Sequence, residues 1–241
     1  LDKIFKSNNS ATLIASPSTG PVNQYRLTNG LTQNGQVWSY GKVDFTKSFT
    51  LSTKTLLSGA DGIAIVFHNS PLAQSASGTN GQGLGARGIA NGIALELDTF
   101  VNSCLSDPNN GENCDPSYDH GSIRTTAGWI NTGKLAGDGQ LGDGTVDDGL
   151  WHDVVINWNS VTRNLSYTFD GVAVTNYTFP ATGANAIETI LAGNSAYFGF
   201  TASTGGAGSN NSVGFDTLCT LPIYLDSDQD GISNHLDLDS D

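Results

Sequence analysis

The sequence predicts an all-β protein, a sandwich or barrel of short antiparallel strands. Three observations predict it. Apolar residues fall in short runs of 5 to 10 residues bounded by Gly, Asn, Asp and Ser, the pattern of strands joined by turns. No segment sustains the 3.6-residue apolar period of an amphipathic helix. The composition, with 30 Gly in 241 residues and much Asn, Ser and Thr, disfavours helices and favours strands and turns. A chain of this length can bury a sizeable core.

Taken in order, the expected strands are 42–53 (KVDFTKSFTLST), 61–69 (DGIAIVFHN), 92–101 (GIALELDTFV), 151–160 (WHDVVINWNS), 164–174 (NLSYTFDGVAV) and 196–203 (AYFGFTAS). Only 185–193 (NAIETILAG) suits a helical turn or two. The Gly-rich segments 78–92, 133–149 and 204–214 read as long loops. Compact domains keep such loops mainly where they bind something. Segment 133–149 reads as plain surface, whereas 204–214 offers Asn210 and Asn211 as polar candidates.

The charge balance excludes some partners. Net charge is −13, from 23 acidic and 10 basic residues, and no basic stripe exists to meet a phosphate backbone, so nucleic acid is not expected. No run of 18 apolar residues predicts membrane insertion. Cys104 and Cys114, in a loop rich in Asn, Asp and Pro, could close a disulfide worth about 3 kcal/mol in the chain-entropy model. That pairing suggests an oxidising, extracellular setting, secreted or at a cell surface. Cys219 reads as a buried thiol. The sequons at Asn8, Asn164, Asn176 and Asn210 are what chance yields in an Asn/Ser/Thr-rich chain. His68, His152 and His235 lack triad partners and read as structural.

From residue 223 the texture changes, dividing the chain into a 1–222 domain and a 223–241 segment. The stretch DSDQDGISNHLD (226–237) follows a D-x-D-x-D-G pattern. In an EF-hand-like loop, Asp226, Asp228 and Asp230 would supply carboxylates, Gly231 the sharp turn, Ile232 a backbone carbonyl and Asp237 the closing ligand. The segment resembles a thrombospondin type 3 calcium repeat, common in bacterial surface linkers. Asp237, Asp239 and Asp241 look like the start of a second copy, so the chain reads as cut from something longer with flanking domains.

The stretch ALELDTFVN (94–102) raises the central question. By alternation Leu95, Leu97 and Val101 share one side, and Glu96, Asp98, Phe100 and Asn102 the other. Like charges two residues apart on one face repel. They either perform acid/base chemistry or hold a cation. Asp115 and His120 follow in CDPSYDHGSI, and the set of oxygen ligands plus one imidazole suits calcium together with a borderline metal such as manganese. Asp107, also followed by Pro, competes with Asp115; only Asp115 has a His five residues on.

These segments, ALELDTFVN…DPSYDHGSI, resemble the V-A-V-E-[FL]-D-T-[FY]-x-N…D-P-x-x-x-H-[IV]-G-I pattern of L-type (legume-type) lectins. GADGIAIVFHNSP (59–71), GQGLGARG (81–88) and FGFTASTG (198–205) are similar to further motifs of that family, in order. The resemblance covers roughly residues 5 to 218 and implies a concanavalin A-like jelly-roll sandwich. It also implies that Glu96, Asp98, Asp115 and His120 hold a transition metal, and that Asp98, the Phe100 carbonyl, Asn102 and Asp115 hold calcium. Asp61, Gly83, Phe100, Asn102 and Gly206 would meet the sugar. Asn102 can give its oxygen to calcium and its NH₂ to a sugar oxygen.

The function so implied is calcium-dependent carbohydrate binding, as part of a larger bacterial surface or secreted adhesin, without catalysis. A glycoside hydrolase on the same fold is the runner-up. Its E-[IL]-D-x-x-E strand would need a third carboxylate where Phe100 or Val101 stands, and a metal ion between Glu96 and Asp98 is incompatible with the general-acid role. A calcium-stabilised spacer without sugar binding is the third reading.

Overall fold

The computed structural model describes residues 4–15, 17–102, 115–129 and 133–216. In chain order the strands are β1 (Phe5–Asn9), β2 (Thr12–Ile14), β3 (Asn23–Gly30), β4 (Asn34–Asp44), β5 (Phe49–Leu56), β6 (Gly62–His68), β7 (Gly92–Asp98), β8 (His120–Thr125), β9 (Lys134–Gln140), β10 (Trp151–Asn159), β11 (Asn164–Phe169), β12 (Val172–Thr178), β13 (Ser195–Ser203) and β14 (Ser209–Phe215). One helical turn, α1 (Ile187–Ile190), precedes β13. Two seven-stranded sheets result, ordered β1-β4-β13-β6-β7-β8-β9 and β12-β11-β10-β5-β14-β3-β2. This is the expected jelly-roll sandwich.

The main core lies between the sheets, where Tyr25, Val37, Leu51, Leu95, Ile156 and Phe200 are buried together. A second, smaller core covers the outer face of the first sheet, where Trp38, Leu84, Ile89, Ala94 and Trp129 pack. Two indole N–H groups pin the overlying segment: Trp38 Nε1 donates to the Ala76 carbonyl at 2.9 Å and Trp129 Nε1 to that of Gln82 at 3.0 Å. Strand β7 is therefore buried on both faces along its length. Its Ile93, Leu95 and Leu97 join the main core. Glu96 and Asp98 follow Ala94 by alternation onto the outer face, under the loops.

The structure corrects four sequence expectations. Segment 42–53 is two strands: the Asp44 carboxylate accepts the Thr46 N–H at 2.9 Å and turns the chain between β4 and β5. Segment 164–174 breaks at Asp170-Gly171, whose φ values of 48° and 78° make the hairpin turn that Asp-Gly favours. Segment 133–149 contains β9, at the edge of the first sheet. Segment 204–214 contains most of β14, which sits between β5 and β3 inside the second sheet. Asn210 and Asn211 thus belong to a strand, and Asn211 is buried with its amide donating to Ser209 Oγ at 2.8 Å.

His152 performs the structural role expected of it. Its ring stacks on Phe169 and bridges Asp170 at 2.8 Å and Asp148 at 3.1 Å. Burial pulls its pKa down, but the two carboxylates outweigh burial and raise it. A raised folded-state pKa stabilises the fold below the unfolded value of about 6.5, and that contribution is lost as pH rises through the folded value. Solvent screening keeps it within about 1 kcal/mol. In thermal unfolding, His152→Asn should therefore cost stability at pH 5.5 and lose most of that deficit by pH 9. A deficit independent of pH would rule out the charge-based bridge.

Candidate metal centre and sugar site

Strand register builds the first part of the site. Asp98, last residue of β7, lies opposite His120 on β8 and opposite Gly62 on β6. The chain leaves β7 through Thr99–Asn102 and is next described at Asp115. There the Asn102 N–H donates to Asp115 Oδ2 at 2.7 Å, and the Asp115 N–H donates to the Asn102 carbonyl at 3.2 Å. This reciprocal pair brings Asp115 back to the strand end despite the intervening sequence. Asp98, Asp115 and His120 each present a ligand atom, and these atoms lie within 4.8 Å of one another.

The electrostatics of this group call for a cation. Burial drives the Asp98 pKa well up, the charges of Glu96, Asp115 and Asp61 add to it, and the Phe100 N–H donating at 2.9 Å opposes it. Burial also raises the pKa of Asp115, against the Asn102 N–H. His120 is 2 % exposed, and its Nε2 has no hydrogen-bond partner among the described residues. Two crowded carboxylates and an imidazole nitrogen whose partner, Asp115 Oδ1, stands 3.6 Å away are costly alone, and a divalent ion between them satisfies all three. The two carboxylates suit calcium or a transition metal, and the imidazole suits a borderline transition metal.

Glu96 is placed otherwise. Its Oε2 lies 2.6 Å from Arg124 Nε, with both side chains almost fully buried, and accepts the Ser122 hydroxyl. Arg124 Nη1 donates in turn to the Trp129 carbonyl at 2.8 Å. His120, Ser122 and Arg124 alternate along β8 and so share one face. Glu96 therefore stands beside the Asp98–Asp115–His120 group, in an ion pair of its own, and is not one of its three members.

The sugar-site candidates gather at the same end of the sheet. Asp61 precedes β6 after a cis Ala60–Asp61 peptide. It is 5 % exposed, and its Oδ2 has no hydrogen-bond partner among the described residues. Burial raises its pKa to about 6, and the Gly205 N–H partly offsets this. Thr99, just past Asp98, donates its N–H to the Asp61 carbonyl at 3.0 Å. Ser203 ties in the Gly-rich loop: its carbonyl accepts the Asp61 N–H at 3.1 Å and its hydroxyl donates to the Gly81 carbonyl at 2.9 Å.

Gly83 is buried in the short 3-10 turn Gly81–Gly83, where a Cβ would meet Thr79 Oγ1 at 2.2 Å, so a side chain there would have to displace the Thr79 hydroxyl. Gly206 is exposed with open space above it. Phe100 is 43 % exposed beside the group. Asp226, Asp228, Asp230, Ile232 and Asp237, the Cys104–Cys114 pair, Asp107 and Cys219 lie outside the described residues.

Residues 1–217 match the family model described as the legume lectin beta-barrel domain. The chain belongs to the legume-type lectin family. The lectin domain is similar in fold to lectin I-B4 from Griffonia simplicifolia in its metal-free form, with a TM-score of 0.64 at 17% identity, covering 88% of this chain and 90% of that one. Peanut lectin in complex with a nine-residue peptide superposes with a TM-score of 0.64 at 20% identity over the same shares. The lectin from Bauhinia forficata in complex with GalNAc gives 0.61 at 15% identity, again over 88% and 90%. Among curated proteins, the pesticidal crystal protein Cry22Aa of Bacillus thuringiensis is 29% identical over 195 residues, 71% of this chain. The chain spans 25% of the length of that relative.

The sequence reading missed Thr99, Ser122, Arg124, Ser203 and Gly205 in this candidate site. Arg124 had a signal: it follows His120 by four residues on a strand, so alternation places it on the ligand face. Ser203 and Thr99 act through local backbone contacts that only strand pairing makes visible.

Proposed function

We propose that this lectin domain binds carbohydrate in a divalent-cation-dependent manner, the ion being calcium or, with His120 as a ligand, a transition metal such as manganese. It acts without catalysis, as one part of a longer secreted or cell-surface protein. The observation that carries the reading is the junction of two unsatisfied groups at one sheet end: the buried Asp98–Asp115–His120 cluster, and Asp61 with a free carboxylate oxygen. When bound, the ion supplies charge neutralisation and a fixed geometry for Asp98, Asp115 and the Asn102 segment. Asp61 then accepts sugar hydroxyls, Asn102 donates its amide, the amides of the Gly-rich and 204–208 loops add donors, and Phe100 offers an apolar face for a ring. No helix among the described residues is long and apolar enough to cross a membrane.

One neighbour is described in complex with GalNAc, which makes galactose-type sugars the first to test here. The calcium repeat read in 226–237 and the low affinity of single lectin sites point to presentation in multiple copies. Glycan-array binding by the full chain should appear with calcium and vanish with chelator. If calcium-loaded, folded protein bound no glycan while calcium still raised its unfolding temperature, the spacer reading would replace this one. Hydrolysis of β-glucan by the purified chain would favour the enzyme reading.

A further inference from the structure

Arg124 is the only basic group that the described structure places directly on Glu96. It is held there from several sides. Its side chain is 3 % exposed. Nε also contacts Ser122 Oγ at 3.0 Å, Nη1 is fixed to the Trp129 carbonyl, and the guanidinium lies 5.8 Å from the Trp129 ring centroid. An arginine so enclosed cannot swing into solvent, and removing it from the carboxylate would leave two buried, unpaired charges. It keeps its positive charge at any ordinary pH. The family resemblance implied two ions, one of them using Glu96.

The guanidinium on Glu96 weighs against a second ion. Among the described residues four carboxylates, Glu96, Asp98, Asp115 and Asp61, surround one guanidinium, which leaves three negative charges. One divalent ion leaves a single negative charge. A second would leave an excess of one positive charge in a buried site, and it would lie beside a guanidinium that repels it, with Glu96 already taken.

We propose that Arg124 is a resident cation that takes Glu96 out of the metal shell, so that the lectin site holds a single divalent ion on Asp98, Asp115 and His120. This inference rests on the metal-site reading above. It makes Arg124 the residue that sets the ion count, with Ser122 and Trp129 as its positioning residues.

The test counts Co²⁺ bound to the full chain, by ligand-field absorbance of the histidine-bound ion and by metal analysis. Uptake lost in Asp98→Asn defines the lectin site and separates it from the acidic C-terminal segment. In Glu96→Gln/Arg124→Met, which replaces the ion pair with neutral groups of similar size, the Asp98-dependent ion should remain with affinity within about twofold. Arg124→Met alone frees Glu96 and should bind one further ion per chain, with a larger Co²⁺-dependent rise in unfolding temperature than the wild type shows.

Loss of the Asp98-dependent ion in the double variant, or affinity weakened about tenfold or more, would make Glu96 a ligand and overturn the proposal. So would a folded Arg124→Met chain that binds no additional ion. If Arg124→Met does not fold, the double variant decides alone. If Asp98→Asn binds as much Co²⁺ as the wild type, the metal-site reading falls and this inference with it.

Discussion

Asp98→Asn should abolish both the metal-dependent stabilisation of the lectin site and sugar binding, while leaving the metal-free fold as stable as the wild type or more so. The asymmetry follows from burial. Without an ion, burial and the charges of Glu96, Asp115 and Asp61 drive the Asp98 pKa well up, so the ionised carboxylate is a liability that a neutral carboxamide removes. With an ion, the same carboxylate is the ligand common to the group formed with Asp115 and His120. At a metal concentration 100 times Kd the wild type gains about 2.7 kcal/mol from binding, and the variant should gain none of it from this site. Thermal unfolding with and without calcium, beside glycan binding, reads both halves. A variant that lost sugar binding yet kept the full metal response would separate Asp98 from the ion.

Trp129→Ala should cost about 3–5 kcal/mol of stability and weaken sugar binding, although the ring belongs to none of the predicted ligand sets. Trp129 is 1 % exposed in the core under the Gly-rich loop. Its indole N–H holds the Gln82 carbonyl and its own carbonyl holds Arg124. Removing the ring opens a cavity, frees the Gly81–Gly83 turn and takes away the aromatic face beside the Arg124 guanidinium, while the backbone carbonyl that holds Arg124 stays. Denaturant unfolding measures the first effect and glycan titration the second. A loss under about 1 kcal/mol with unchanged glycan affinity would show that the loop is held elsewhere.

The lectin fold and its carboxylate-rich strand end were legible in the chain wherever alternation and short-range turn chemistry carry them. Alternation put Glu96 and Asp98 on one face of β7, and the order of motifs from residue 59 to 205 suited one sandwich. The errors fell where pairing partners, not the residues themselves, decide the outcome. Strand β14 has few apolar residues, yet it forms because β5 and β3 flank it and pair with its backbone. Hairpin β11–β12 hid inside a run read as one strand, although Asp170-Gly171 marked its turn.

By itself, the sequence determined the all-β class, the ligand-rich strand end and the residue types able to hold a cation, because strand periodicity and donor chemistry are local properties. Only the tertiary structure decided which of those residues meet. Pairing of β7 with β8 brings His120 to Asp98, and the reciprocal Asn102–Asp115 hydrogen bonds, one of them to the Asp115 carboxylate itself, return that carboxylate to the strand end. The same pairing gives Glu96 to Arg124. The neighbour of a buried charge is set by register and burial, and no local pattern in the chain encodes which of its possible partners will neutralise it.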